Sequence, residues 1–108
     1  MLPGVKDLKI YQGSYFLFPF NIKEKDLTDY SAKMQIRDRN NQNLLLELTT
    51  ENEKLKITPE AGRVDIIISP EETKILQSGI YDLFLIDEDE KPEAYLTGNV
   101  IITPAITR

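Results

Sequence analysis

The chain has no cysteine, no histidine and no tryptophan. Without cysteine there are no disulfides, no thiol nucleophile and no thiolate zinc site. Without histidine the commonest general base, the commonest metal ligand and the switch near neutral pH are all missing. No apolar run approaches the ~20 residues needed to span a bilayer. Met1-Leu2-Pro3-Gly4-Val5-Lys6 lacks the charged start and apolar run of a secretory signal, so synthesis and folding in the cytoplasm are expected. Also missing is any basic excess. Net charge is −5, and residues 81–108 carry six acidic side chains against two basic ones. No basic stripe exists to track a phosphate backbone, so nucleic acid is not an expected partner.

What is present is ordinary globular composition, 41% hydrophobic and 29% charged, which excludes intrinsic disorder. The 108 residues suit a single domain, 1–108, with 1–5 and 105–108 as loose termini. Period-two alternation dominates. Leu8 and Ile10 alternate with Lys9 and Tyr11; Phe16, Phe18, Phe20 and Ile22 with Tyr15, Leu17 and Pro19; Ala32, Met34 and Ile36 with Lys33, Gln35 and Arg37. Leu44, Leu46 and Leu48 are expected inside, as are Val64, Ile66 and Ile68. Leu55 and Ile57 mark a short strand before Pro59. Pro19 cannot donate to a ladder, so the Phe-rich strand is expected at an edge, or paired on one side only at that point.

Ser69-Pro70-Glu71-Glu72 is a helix start with a capping box. The helix is expected over about 70–77, stopped by Gly79, with Ile75 and Leu76 plugging one end of the core. Gly79 to Thr103 then reads as a long hairpin around the acidic turn Asp87-Glu88-Asp89-Glu90. Its inward row is Tyr81, Leu83 and Leu85 facing Leu96, Gly98, Val100 and Ile102. The expected fold class is all-β: an immunoglobulin-like antiparallel two-sheet sandwich of about eight strands with one short helix near 70–77.

Several constellations could carry chemistry, and each has a plainer reading. The acidic turn could attract Ca²⁺, but it lacks the EF-hand spacing and glycine, and a solvated tip explains it. Glu47, Asp65 and Asp82 could be sought as a glycosidase pair; cross-strand pairing with Lys33, Arg37 or Arg63 is the better account. Ser14, Ser31 and Ser78 have no histidine to activate them. Tyr30 is expected to donate its hydroxyl to a backbone carbonyl after the Asp26–Asp29 turn. No catalytic residue, metal ligand or cofactor is expected, and the chain reads as a non-enzyme.

One feature exceeds what a solvated sheet needs. The hairpin's outer row carries Ile80, Phe84 and Ile86, with Tyr95 and Ile101 on the partner strand, and the Phe-rich strand adds Tyr15 and Leu17 outside. Two explanations compete. In one, the hairpin is partly covered by the N-terminal segment or the helix, or its inward and outward rows are slipped by one residue. In the other, these seven residues are the candidate interface, through self-association or with another protein. The alternative is a ligand- or glycan-binding module using Tyr11, Tyr15 and Tyr95.

The order of motifs adds a setting. Gly13-Ser14-Tyr15-Phe16-Leu17-Phe18 is followed by Asp26-Leu27-Thr28-Asp29-Tyr30-Ser31-Ala32-Lys33-Met34-Gln35-Ile36-Arg37, then Leu45-Leu46-Glu47-Leu48-Thr49-Thr50-Glu51-Asn52. Ala61-Gly62-Arg63-Val64, Gly79-Ile80-Tyr81-Asp82-Leu83, Gly98-Asn99-Val100-Ile101-Ile102-Thr103-Pro104 and Thr107-Arg108 complete the series. This resembles a family of small β-sandwich proteins encoded in bacteriophage and prophage structural modules. It is similar in layout to the tail- and baseplate-associated domains that begin longer upper-baseplate proteins. The resemblance implies a virion structural or interaction role, with other phage structural proteins as partners and no membrane insertion. It implies synthesis in the bacterial host cytoplasm and association with the virion. It transfers no catalytic residue.

Overall fold

Two sheets enclose one apolar core in the computed structural model, which describes residues 3–22 and 25–107. The larger sheet has six strands. Its order runs from β1 (Gly4–Val5) and β2 (Leu8–Tyr11), both on the same side of β9 (Pro92–Thr103), through β8 (Gly79–Ile86) and β4 (Ser31–Arg37) to β5 (Leu44–Thr49). The smaller sheet is β3 (Phe16–Asn21), β7 (Arg63–Ile68) and β6 (Leu55–Thr58). Among the described residues one helix, α1 (Pro70–Ile75), links the sheets between β7 and β8.

The alternating strands bury the rows their pattern assigns to the inside. Ala32, Met34 and Ile36 are buried from β4; Val64, Ile66 and Ile68 from β7; Tyr81, Leu83 and Leu85 from β8. Each fully buried aliphatic side chain contributes about 1.5–3 kcal/mol of transfer free energy. Leu27, also fully buried, comes from a turn rather than a strand. Asp26 Oδ1 accepts from the Thr28 amide at 2.8 Å and from the Thr28 hydroxyl, and the Tyr30 amide donates to the Leu27 carbonyl at 3.1 Å. This Asx turn, with Asp29 at φ 65°, aims Leu27 into the core. The two hydrogen bonds from Thr28 hold the Asp26 carboxyl below its usual range.

Pro19 lies on an edge strand, as its missing donor requires. The phase of the ladder explains how it is tolerated. The Ile22 amide donates to the Gly62 carbonyl at 2.7 Å. Two-residue alternation then aims the amides of Phe20, Phe18 and Phe16 at β7 and leaves position 19 facing the free edge.

Several expectations are corrected. The sheet is not wholly antiparallel: β1 and β2 run parallel to β9, with Gly4 opposite Leu96 and Leu8 opposite Val100. A parallel neighbour needs a long crossover, and here the rest of the domain is that crossover. Gly4 and Val5 are therefore a strand rather than a loose lead-in, and the strands number nine among the described residues. At the other end the Ala105 amide donates to Gln12 Oε1 at 3.1 Å. Arg108 and Lys23-Glu24 of the expected charged turn lie outside the described residues.

Leu44 is 47% exposed, because the β4–β5 register shifts at Ile36/Arg37. Leu46 faces Ile36 and Leu44 faces Arg37, so Leu45 is the extra residue of a bulge and packs on the core instead.

The helix is shorter than expected, and Ile75 is 80% exposed. Its buried contacts are Leu76 just past its end and Thr73, whose hydroxyl donates to the Ser14 carbonyl at 2.8 Å. The Ser69–Glu72 capping box is present in full.

Gly79 does not end the helix but begins β8. A Cβ there would sit 2.0 Å from the Arg37 carbonyl oxygen, so the tight approach of β4 demands glycine.

Candidate interaction surface

The outer face of the six-stranded sheet is built by register. On β8, Ile80, Asp82, Phe84 and Ile86 face outward. Their cross-strand neighbours on β4 are Arg37, Gln35, Lys33 and Ser31, and on β9 Asn99, Thr97, Ala94 and Pro92. Ile101 continues the face beside Lys9. Val5, 80% exposed, and Tyr11, 47% exposed, extend it to the edge. The apolar row is only half-buried. Phe84 lies opposite Lys33 and Ile80 opposite Arg37 on β4, and the aliphatic stems of such side chains suit flanking positions.

The polar members of this face are tied to one another. Arg37 donates from Nε and Nη2 to Gln35 Oε1 at 3.1 and 2.9 Å, and Gln35 Nε2 donates to Glu47 Oε2 at 2.6 Å. Lys33 Nζ lies 3.9 Å from Glu47. The expected cross-strand pairing of Glu47 is therefore present. Asp65 pairs instead along its own strand, 3.3 Å from Arg63 Nε. Asp82 separates two shallow depressions of the face. One, of about 470 Å³, includes Val5, Ile80 and Asn99; the other, of about 340 Å³, includes Phe84, Ile86 and Pro92.

The seven candidate interface residues do not form one patch. Ile80, Phe84, Ile86 and Ile101 share the outer face of the larger sheet. Tyr15 and Leu17, 59% and 52% exposed, belong to the Phe-rich segment of the smaller sheet. Tyr95 leaves the row altogether. The β8–β9 register shifts at Leu83/Phe84, so Phe84 faces Ala94 while Leu83 faces Leu96, and Tyr95 is the extra residue between. Its ring packs against the core, and its hydroxyl accepts from Lys25 Nζ at 2.9 Å. The Lys25 ammonium also lies 5.5 Å from the Tyr30 ring centroid and 5.6 Å from that of Tyr95. The Tyr95 hydrogen bond holds the Lys25 pKa above its ordinary value against an opposing effect of burial. Tyr30 thus meets a cation, and among the described residues its hydroxyl has no hydrogen bond to the backbone carbonyl expected for it.

Sequence reasoning placed Thr97 and Asn99 on this face, and the register bears it out, but it missed Val5. Gly4-Val5 is too short to alternate, and only its pairing with Leu96 and Thr97 puts it there. At the acidic tip, Asp87 Oδ1 accepts from the amides of Asp89 and Lys91, both at 2.9 Å, which closes the turn on itself. Among the described residues no three carboxylates converge on a point that could hold a metal ion. No helix among them is long and apolar enough to cross a membrane. A separate cleft of about 750 Å³ is lined by Tyr11, Gln12, Ser14, Lys74 and Thr107, among others. Compared with known proteins, the chain matches no family model and no curated sequence.

Proposed function

We propose that this chain is a non-enzymatic structural module of a phage particle, tail- or baseplate-associated, that works through protein–protein contacts. The contact face is the outer surface of the six-stranded sheet. The observation that carries the reading is the half-buried apolar row Ile80, Phe84, Ile86 and Ile101, continuous with exposed Val5. A face ending in the sea of polar side chains expected of a solvated sheet would not need it. The partner is another phage structural protein or a second copy, and the particle is assembled from chains made in the host cytoplasm. The motif series from Gly13 to Thr107 supports the phage setting through its family resemblance.

We further infer an immunoglobulin-like sandwich. The order β5-β4-β8-β9 opposite β3-β7-β6 is the connectivity that such a fold would have, with β1 and β2 added to the edge strand β9.

Mass in solution across a concentration series, for the chain and for Phe84→Asp, tests the self-association form. Expected is a dimer or larger species that Phe84→Asp dissociates; a strict monomer at every concentration rejects that form. The phage setting is tested separately by the reading frames flanking the gene. Neighbours encoding head, neck or tail proteins support it, and neighbours encoding metabolic enzymes sink it.

A ligand-binding reading has one observation in its favour. Tyr11 lines a cleft beside the polar groups of Gln12, Ser14 and Lys74, the arrangement a sugar platform uses. A glycan array with no hit, or a hit unaffected by Tyr11→Ala, rejects it.

A further inference from the structure

The first and last strands of the chain lie side by side and point the same way. The chain therefore enters the larger sheet at one end of this seam and leaves it at the other. Tension applied between the two ends drives β1 and β2 one way and β9 the other, along their common axis. Backbone bonds across a seam loaded in this direction share the load, whereas bonds in a hairpin pulled from its open end break one rung at a time.

We propose that this seam is a shear clamp, which makes the domain a link able to carry tension between whatever is joined to its two ends. The inference stands independently of the phage setting. Six Cα pairs span the seam, from Gly4–Leu96 to Tyr11–Thr103. The Lys6 amide donates to the Thr97 carbonyl and the Gln12 amide to the Thr103 carbonyl, both at 2.9 Å.

The break between β1 and β2 is braced rather than open. Asp7 Oδ1 takes the place of a backbone acceptor for the Asn99 amide at 3.0 Å, and the Tyr81 hydroxyl donates to the Lys6 carbonyl at 2.7 Å. On its other flank β9 is antiparallel to β8 from Gly79 to Ile86, so it cannot peel away on that side. Beneath the seam, Leu8, Ile10 and Val100 are buried, so sliding the strands also drags apolar side chains through a packed core.

A second loading direction in the same molecule provides the comparison. Ser14 and Ile75 lie at one end of the antiparallel β3–β7 pair, which opens there at Phe16–Ile68. Pulling these positions apart separates β3 from β7 rung by rung.

The test is single-molecule stretching of the full chain. In one geometry, handles are fused to both ends. In the other, a Ser14→Cys/Ile75→Cys variant is held through its two thiols, which are unique because the chain has no native cysteine. The end-to-end rupture force is expected to be several-fold above that between positions 14 and 75. Equal forces, or a weaker end-to-end direction, overturn the proposal. Asp7→Ala is expected to lower the end-to-end force and leave the other unchanged. An equal loss in both directions, or no loss end to end, overturns the role assigned to the seam.

Discussion

The hydroxyl of Tyr81 donates to the backbone carbonyl of Lys6 at 2.7 Å, reaching across β9 to the break between the first two strands. Gly98 lies between them, opposite Tyr81, and its missing Cβ would stand 2.3 Å from that same Lys6 oxygen. Burial, with a smaller contribution from the Asp7 carboxylate, pushes the Tyr81 phenol up to about 12. In the unfolded chain the phenol ionises near its ordinary value of 10. The folded state thus holds a proton that the unfolded state releases. The resulting stability is fully present below pH ~10 and is lost as pH rises to ~12, by about 2–3 kcal/mol. Urea midpoints measured from neutral to strongly alkaline pH should fall in that window. Tyr81→Phe should be less stable at neutral pH by about 1 kcal/mol and should lack this part of the alkaline fall.

Gly79→Ala should cost far more than the ~1 kcal/mol of an ordinary backbone substitution. The new methyl would meet the Arg37 carbonyl, a backbone atom that cannot swing aside. Chemical denaturation checks this, and a change below ~1 kcal/mol would show that β4 and β8 can separate without loss.

The helix start is a third point of attack. Burial works against ionisation of Glu72, but the Ser69 amide, the Ser69 hydroxyl and Lys54, 3.1 Å away, outweigh it and hold the Glu72 pKa below its ordinary 4.5. A depressed carboxyl adds stability above its unfolded pKa and loses it as pH falls through the folded value. Ser69→Ala should lower stability by about 1 kcal/mol. Glu72→Gln should flatten the acid limb of the stability profile below pH ~4.5. Thermal melts between neutral and acidic pH measure both.

Pro19→Val restores an amide at the free edge of β3. Native edges are commonly blunted by a missing donor, and here position 19 supplies it. The variant should keep or slightly raise its monomeric stability yet aggregate at a lower concentration, as read by light scattering over time. Equal colloidal behaviour would mean the edge is protected by something other than the proline.

Strand positions were legible where one face is wet and the other dry. Lys33, Gln35 and Arg37 against Ala32, Met34 and Ile36 leave no other register. The capping box was legible for a similar reason, since all its partners lie within four residues. What local pattern could not reveal were features set by distant neighbours. The role of Gly79 depends on Arg37, not on the helix before it. Tyr95 and Leu44 occupy positions that strict alternation assigns wrongly, because one extra residue in a strand turns the side chains around it without any mark in composition. The parallel pairing of β1 was invisible for the same reason, since two residues carry no period. As for the candidate face, its apolar row was visible on β8, but Val5 joins it only through pairing, and Tyr15 and Leu17 belong to the other sheet.

The seam between the first and last strands also has a consequence in time. Asp7 and Asn99 are 92 positions apart. During synthesis β1 and β2 emerge first, and at the ribosome's ~5–20 residues per second they wait several seconds for the strand they pair with. Until β9 arrives, Leu8 and Ile10 have no sheet to join, and the core beneath them stays open. Such distant closure is slow in a chain whose contacts are mostly non-local. A truncation that spares every earlier element but removes 92–103 should therefore leave not a smaller domain but an unfinished one, recognised by chaperones or proteases before it folds.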